Sequence, residues 1–72
     1  MSALERNILE YLICCIGAFA IRFGLANSDA YVYLKQHGGI SYLYDFYDVE
    51  HTFSIEDSVS DVVKICSNNG GL

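Results

Sequence analysis

The chain has 72 residues and a formal net charge of −5, with nine Asp and Glu against four scattered Lys and Arg. A domain this small buries only about 60% of its unfolded surface, so it usually draws extra stability from a disulfide, a metal or a second chain. The charge disfavours direct nucleic-acid binding, which draws affinity from releasing phosphate counterions, and docking on an anionic membrane; it suits a basic protein partner.

The first element organises the rest. From Tyr11 to Ile21 no residue is charged, and Glu10 and Arg22 bound the run. The pattern predicts a helix over residues 2–23, with Leu4, Ile8, Tyr11, Leu12, Cys15 and Phe19 at steps of three and four. Its middle is apolar on every face, which demands cover on every face, from its own domain or from a second chain. The run is too short to span a bilayer, which takes ~20 residues, so the expectation is a soluble protein. Mid-helix Gly17 has a cost of its own, about 1 kcal/mol against Ala. With Cys14, Ala18 and Ile21 it makes a narrow face that a helix could approach closely. That face is expected to pack on the last helix of the chain or to serve self-association, most simply as a homodimer.

Gly24 is placed to close the first helix in a left-handed conformation. Asn27 is the expected N-cap of a second helix over residues 28–37, with Asp29 in its first turn. Gly38 and Gly39 break it. A third helix is predicted over residues 40–47, with strand as the alternative because Tyr, Ile and Phe favour strands. Residues 48–53 read as a connector, and Ser54 as the cap of a fourth helix over residues 55–67. Ile55, Val59, Val62, Val63 and Cys66 form its apolar stripe, while Glu56, Ser60, Asp61 and Lys64 are expected to face water. Residues 68–71 are expected to fray. The predicted fold is all-α: one domain, residues 1–72, a small bundle of four helices with the apolar N-terminal helix central.

No catalytic signature stands in the chain. Cys14 or Cys15 with His37 or His51 would make a nucleophile and base, but a reactive thiol needs an exposed, electropositive setting; both are expected in the core, and so is Cys66. The odd cysteine count and an opening that lacks a signal-peptide pattern fit reduced thiols in a cytoplasm. Asp45, Asp48, Glu50 and His51 are the densest group of metal-ligand types, without the spacing of a metal site. No metal and no cofactor are therefore expected. Five of the six tyrosines lie from Tyr31 to Tyr47, more than one small core can bury, which predicts an exposed contact patch. Tyr33, Tyr42, Tyr44, Phe46 and Asp48 are the candidate partner-binding residues.

The succession Phe23-Gly24-Leu25, Asp29-Ala30-Tyr31, Tyr33-Leu34, Gly38-Gly39-Ile40 and Tyr42-Leu43 resembles a bacterial family of short domains of unknown function. The segment Tyr47-Asp48-Val49-Glu50-His51-Thr52 is the most specific part, and Asp61-Val62-Val63, Cys66 and Asn68-Asn69-Gly70-Gly71 fit it too. In that family the position of Ala26 often holds a Ser or Thr that caps the second helix. Some members are encoded beside domains similar to ADP-ribosyltransferase toxins, so the resemblance implies an antitoxin-like or accessory protein that binds a toxin-like enzyme. It implies no catalytic residue.

The expected function is thus a non-enzymatic protein–protein interaction module. One alternative is an acidic inhibitor that mimics nucleic acid, which requires Asp45, Asp48, Glu50, Glu56, Asp57 and Asp61 on one surface. Another is a metal-binding protein or small enzyme built on Asp48, Glu50 and His51.

Overall fold

Ser2 starts the longest helix with a reciprocal cap. In the computed structural model, which describes residues 1–71, Ser2 Oγ accepts the Glu5 amide at 3.1 Å and Glu5 Oε1 accepts the Ser2 amide at 3.5 Å. Two donors that a helix start leaves open are thereby satisfied. Helix α1 runs Ala3–Phe23 and closes at Gly24, whose φ of 65° is left-handed. The Leu25 amide reaches back to the Ala20 carbonyl at 2.9 Å, the closure that a glycine at this position permits.

Helix α2, Asn27–Gln36, leaves at 104° to α1. Its start differs from expectation by one residue. Ala26 is the extended N-cap residue, with no side-chain cap, and Asn27 is already helical. Only Leu25 separates Ala26 from the Gly24 closure, so the extended turn residue falls on Ala26. Gly38 then turns the chain with a φ of 78°.

The predicted third helix is two helices: α3, Gly39–Asp45, and the single turn α4, Tyr47–Glu50. Phe46, at φ −107° and ψ 22°, breaks them apart. The break re-aims the following turn, so that Glu50 faces inward while Asp48 and Val49 face out. Half of the expected connector is therefore helical, and no strand occurs among the described residues. Helix α5, Ile55–Asn68, starts as expected at Ser54, whose Oγ accepts the Asp57 amide at 3.1 Å. The fold is all-helical with five helices rather than a plain bundle of four.

Leu34, Leu43, Val59 and Val62 have no exposed surface. They come from α2, α3 and α5, so the centre of the core lies among those three helices. Each such side chain contributes roughly 1.5–3 kcal/mol by leaving water. Helix α1 packs against α2, α3 and α5, but on one side only. It covers the core with Ile8, Tyr11, Leu12, Cys15, Phe19 and Ala20 and leaves its other side open. Gly39 allows the close approach at the centre: a Cβ there would stand 2.9 Å from both Leu34 Cδ2 and Val62 Cγ2, and 3.1 Å from Cys66 Sγ.

The C-terminal segment is stapled rather than frayed. Asn69 Nδ2 donates to the His37 carbonyl at 3.0 Å, and His37 Nδ1 lies 3.3 Å from the Asn69 carbonyl. Gly70, at φ 86°, closes α5 as Gly24 closes α1, with the Gly71 amide on the Cys66 carbonyl at 2.8 Å.

Candidate functional site

The outward side of α1 carries the largest mismatch between chemistry and environment. Ile13 is 60% exposed and Ile21 85% exposed, and Leu9 and Cys14 are exposed beside them. Leu9, Ile13, Gly17 and Ile21 follow one another at steps of four, a single ridge. A Cβ built on Gly17 would meet nothing within 4 Å outside its own helix. Ala18 is half-buried at the edge of this face. The expected packing of α5 does not reach Cys14 and Ile21, which are exposed, because α5 lies on the side where Tyr11 meets Ser58 and Arg22 meets Glu56, while Ala18 packs against the core. The expected burial of Cys14 fails for the same reason.

The five candidate partner-binding residues do not share one surface. Tyr33 is half-buried, its ring 5.6 Å from that of Phe19 and 4.6 Å from that of His37. It lines an apolar groove of about 350 Å³ with Phe19, Phe23, Leu25 and Val63. Tyr42 is also half-buried, its ring 5.0 Å from that of Phe46. Tyr44 lies on the opposite side of α3, in a shallow depression with Met1, Ile8, Leu9 and Leu12. Only two steps separate Tyr42 from Tyr44, and two steps around a helix reverse the direction of a side chain. Phe46, Asp48, Val49 and Phe53 are exposed and follow one another along the α3–α4 ridge.

Beneath that ridge lies a polar cluster. Glu50 is 3% exposed although it is a carboxylic acid. Tyr42 donates to its Oε2 at 3.0 Å, and Ser58 Oγ donates to its backbone carbonyl at 3.1 Å. Ser58 in turn accepts from the Tyr11 hydroxyl at 2.6 Å. Among the described residues, Glu50 Oε1 has no hydrogen-bond partner. The Asp61 carboxyl stands beside that of Glu50; half-buried, Asp61 is less open to water than the stripe on α5 suggests. Burial pushes the Glu50 carboxyl above the usual carboxylate range and Asp61 adds to this, while the hydroxyls of Tyr42 and Ser58 pull part of the way back. Burial also pushes the Tyr42 phenol up to about 12, with Glu50 contributing.

The remaining candidates stay apart. Glu50 points inward while Asp48 and His51 are exposed, and no group of three or more His, Cys, Asp or Glu able to hold a metal ion occurs among the described residues. With Glu50 buried and Asp61 half-buried, the six acids of the mimicry alternative do not lie on one open surface. The three cysteines are free. Burial holds the Cys15 thiol up, at about 11, and raises that of Cys66, the opposite of a reactive thiolate.

The inward turn of Glu50 was not visible as a pattern in the sequence. Two signals for the cluster did exist. Ser58 falls on the apolar stripe of α5, and Tyr11 on the apolar stripe of α1; a hydroxyl on a buried face asks for a partner.

No helix is long and apolar enough to cross a membrane among the described residues. No curated protein and no solved structure matches the chain. One family profile does, over residues 10–69, from within α1 to the Asn69 staple. On that match the chain belongs to the family described as "Protein of unknown function (DUF3791)".

Proposed function

We propose that this domain is a non-enzymatic protein–protein interaction module that pairs with a second copy of itself through the outward side of α1. The observation that carries this reading is the uncharged ridge of Leu9, Ile13, Gly17 and Ile21, left in water by a chain whose composition is otherwise acidic. Covering it removes apolar surface from water without burying a charge between Tyr11 and Ile21, the kind of contiguous exposed patch that marks a contact site. Most of the acids lie on residues 45–61, outside α1, and on α1 itself only Glu5 and Glu10 flank the ridge, both towards its start.

A foreign protein partner then has the ridge of Phe46, Asp48, Val49 and Phe53, where exposed apolar side chains stand beside acids and suit a basic counterpart. A toxin-like enzyme as that partner, with this chain in an antitoxin-like or accessory role in a cytoplasm, rests on the family resemblance alone.

Light scattering on a sizing column, at several micromolar concentrations in reducing buffer, tests the pairing. The expected result is a dimer for the wild-type chain and a folded monomer for Ile21→Asp. A wild-type monomer across that range overturns it. The partner is tested separately, by co-purification with the product of the neighbouring gene and its loss in Phe46→Ala.

A further inference from the structure

The Glu50–Asp61 pair is chemically distinct from every other acid site in this chain. One carboxyl, buried in the core on α4, faces a second on α5. The groups around Glu50 are Tyr42 from α3, Ser58 and Asp61 from α5, and Tyr11 and Cys15 from α1. None of them is a cation, and Arg22 is committed to Glu56 at 2.9 Å. A carboxylate buried away from water, without a counter-ion and beside a second acid, retains a proton instead. Such a proton also answers Glu50 Oε1, the buried side-chain atom that has no hydrogen-bond partner among the described residues.

We propose that Glu50 keeps its proton in the folded protein, and that losing it beside Asp61 loosens the docking of residues 47–52 on α5. This reading does not depend on the self-association of α1. The turn that carries Glu50 is held by few other contacts. Tyr47 meets Tyr11 edge-on with ring centres 5.4 Å apart, the Glu50 carbonyl accepts from Ser58, and Thr52 Oγ1 caps the Val49 carbonyl at 2.6 Å. The exposed His51 stacks on Tyr47 at 4.4 Å, with Nδ1 on its carbonyl. Phe46, Val49 and Phe53 lie on and beside that turn, so the pair couples acidity to the shape of an exposed ridge.

The direction follows from linkage. The Glu50 carboxyl is raised in the folded chain above its unfolded value. Folding therefore binds a proton, and the pair's contribution is complete below the unfolded carboxylate range and is lost as pH rises through the folded value. Thermal unfolding of the full chain, followed by circular dichroism from about pH 8 down to about pH 5, should show a midpoint that rises by ~5 °C or more on acidification. Glu50→Gln, a neutral isostere, should raise the midpoint at the alkaline end and flatten the profile. Asp61→Asn should flatten it in part, and His51→Gln should leave it as in wild type.

A flat wild-type profile, or a slope that survives Glu50→Gln, overturns the proposal. If Glu50→Gln does not fold, carbon-detected NMR of the wild-type side-chain carboxyls decides. A Glu50 midpoint above the ordinary carboxylate range supports the proposal, and a Glu50 midpoint within that range overturns it. Amide exchange across residues 47–52, corrected for intrinsic rates, should speed up on the alkaline side; unchanged protection overturns the loosening.

Discussion

Helices α1 and α5 pack against each other, yet they relate to their sequences in opposite ways. In α5 the apolar side chains keep to one stripe, and Val59, Val62 and Cys66 on that stripe are the buried ones. In α1 the middle is apolar on all sides, and only the side with Ile8, Leu12, Cys15 and Phe19 is covered. A periodic helix states which face goes inward. An all-apolar helix states only that it needs more cover than a small domain can give. The difference teaches that Ile13 and Ile21 are left exposed in the part of α1 where periodicity is missing.

The sharpest way to break this contrast is the same charge on both helices. Val62→Asp puts an unpaired carboxylate at the centre of the core, at a cost of several kcal/mol, ~5 or more, which rivals the whole stability of a domain this size. The expected result is loss of the helical circular dichroism signal. Ile21→Asp, at a site already in water, should keep that signal as a monomer, with a thermal midpoint that no longer depends on protein concentration. If Ile21→Asp unfolds the chain, the outward side of α1 is part of the fold and not a free face.

A gentler version uses glycine. Gly39→Ala drives a methyl into Leu34, Val62 and Cys66 and should destabilise by roughly 1–3 kcal/mol through overpacking. Gly17→Ala adds the same methyl to open space in a helix and should stabilise by about 1 kcal/mol through backbone propensity. Urea unfolding in the monomeric Ile21→Asp background reads both. Equal signs for the two substitutions would erase the distinction between the inner and outer sides of the molecule.

These contrasts also mark how far the sequence could be read. The all-α class, both glycine closures of the early chain and the Ser54 cap were legible because each depends on local chemistry. The break at Phe46 was not, because it is set by what comes after it: the turn must swing so that Glu50 reaches Tyr42 and Asp61, contacts between separate helices. The cap of α2 was misplaced for a different reason. Ala26 holds the cap geometry without a cap side chain, so residue type pointed to its neighbour Asn27. The candidate surface was half legible. Composition required an exposed patch, and the ridge on α1 supplies one, but the tyrosine count could not say that Tyr42 and Tyr44 lie on opposite sides of α3.

The smallest effect is expected where α1 and α5 are joined by charge. Arg22 donates to Glu56 Oε2 at 2.9 Å, to the Glu56 carbonyl at 3.3 Å and to Ser60 Oγ at 3.2 Å. The Glu56 side chain is 75% exposed, so water and salt screen the pair, and Glu56 keeps its favourable place in the first turn of α5 without it. Arg22→Ala should cost only ~0.5 kcal/mol in low salt and less in high salt. The same two helices are also joined by the buried bond from Tyr11 to Ser58. Tyr11→Phe should cost about 1 kcal/mol with little salt dependence, since Ser58 still donates to the Glu50 carbonyl but loses its own donor. Paired urea titrations at two salt concentrations separate the two ties. If Arg22→Ala is the costlier change, α1 is held to α5 at its exposed end and not through the buried hydroxyls.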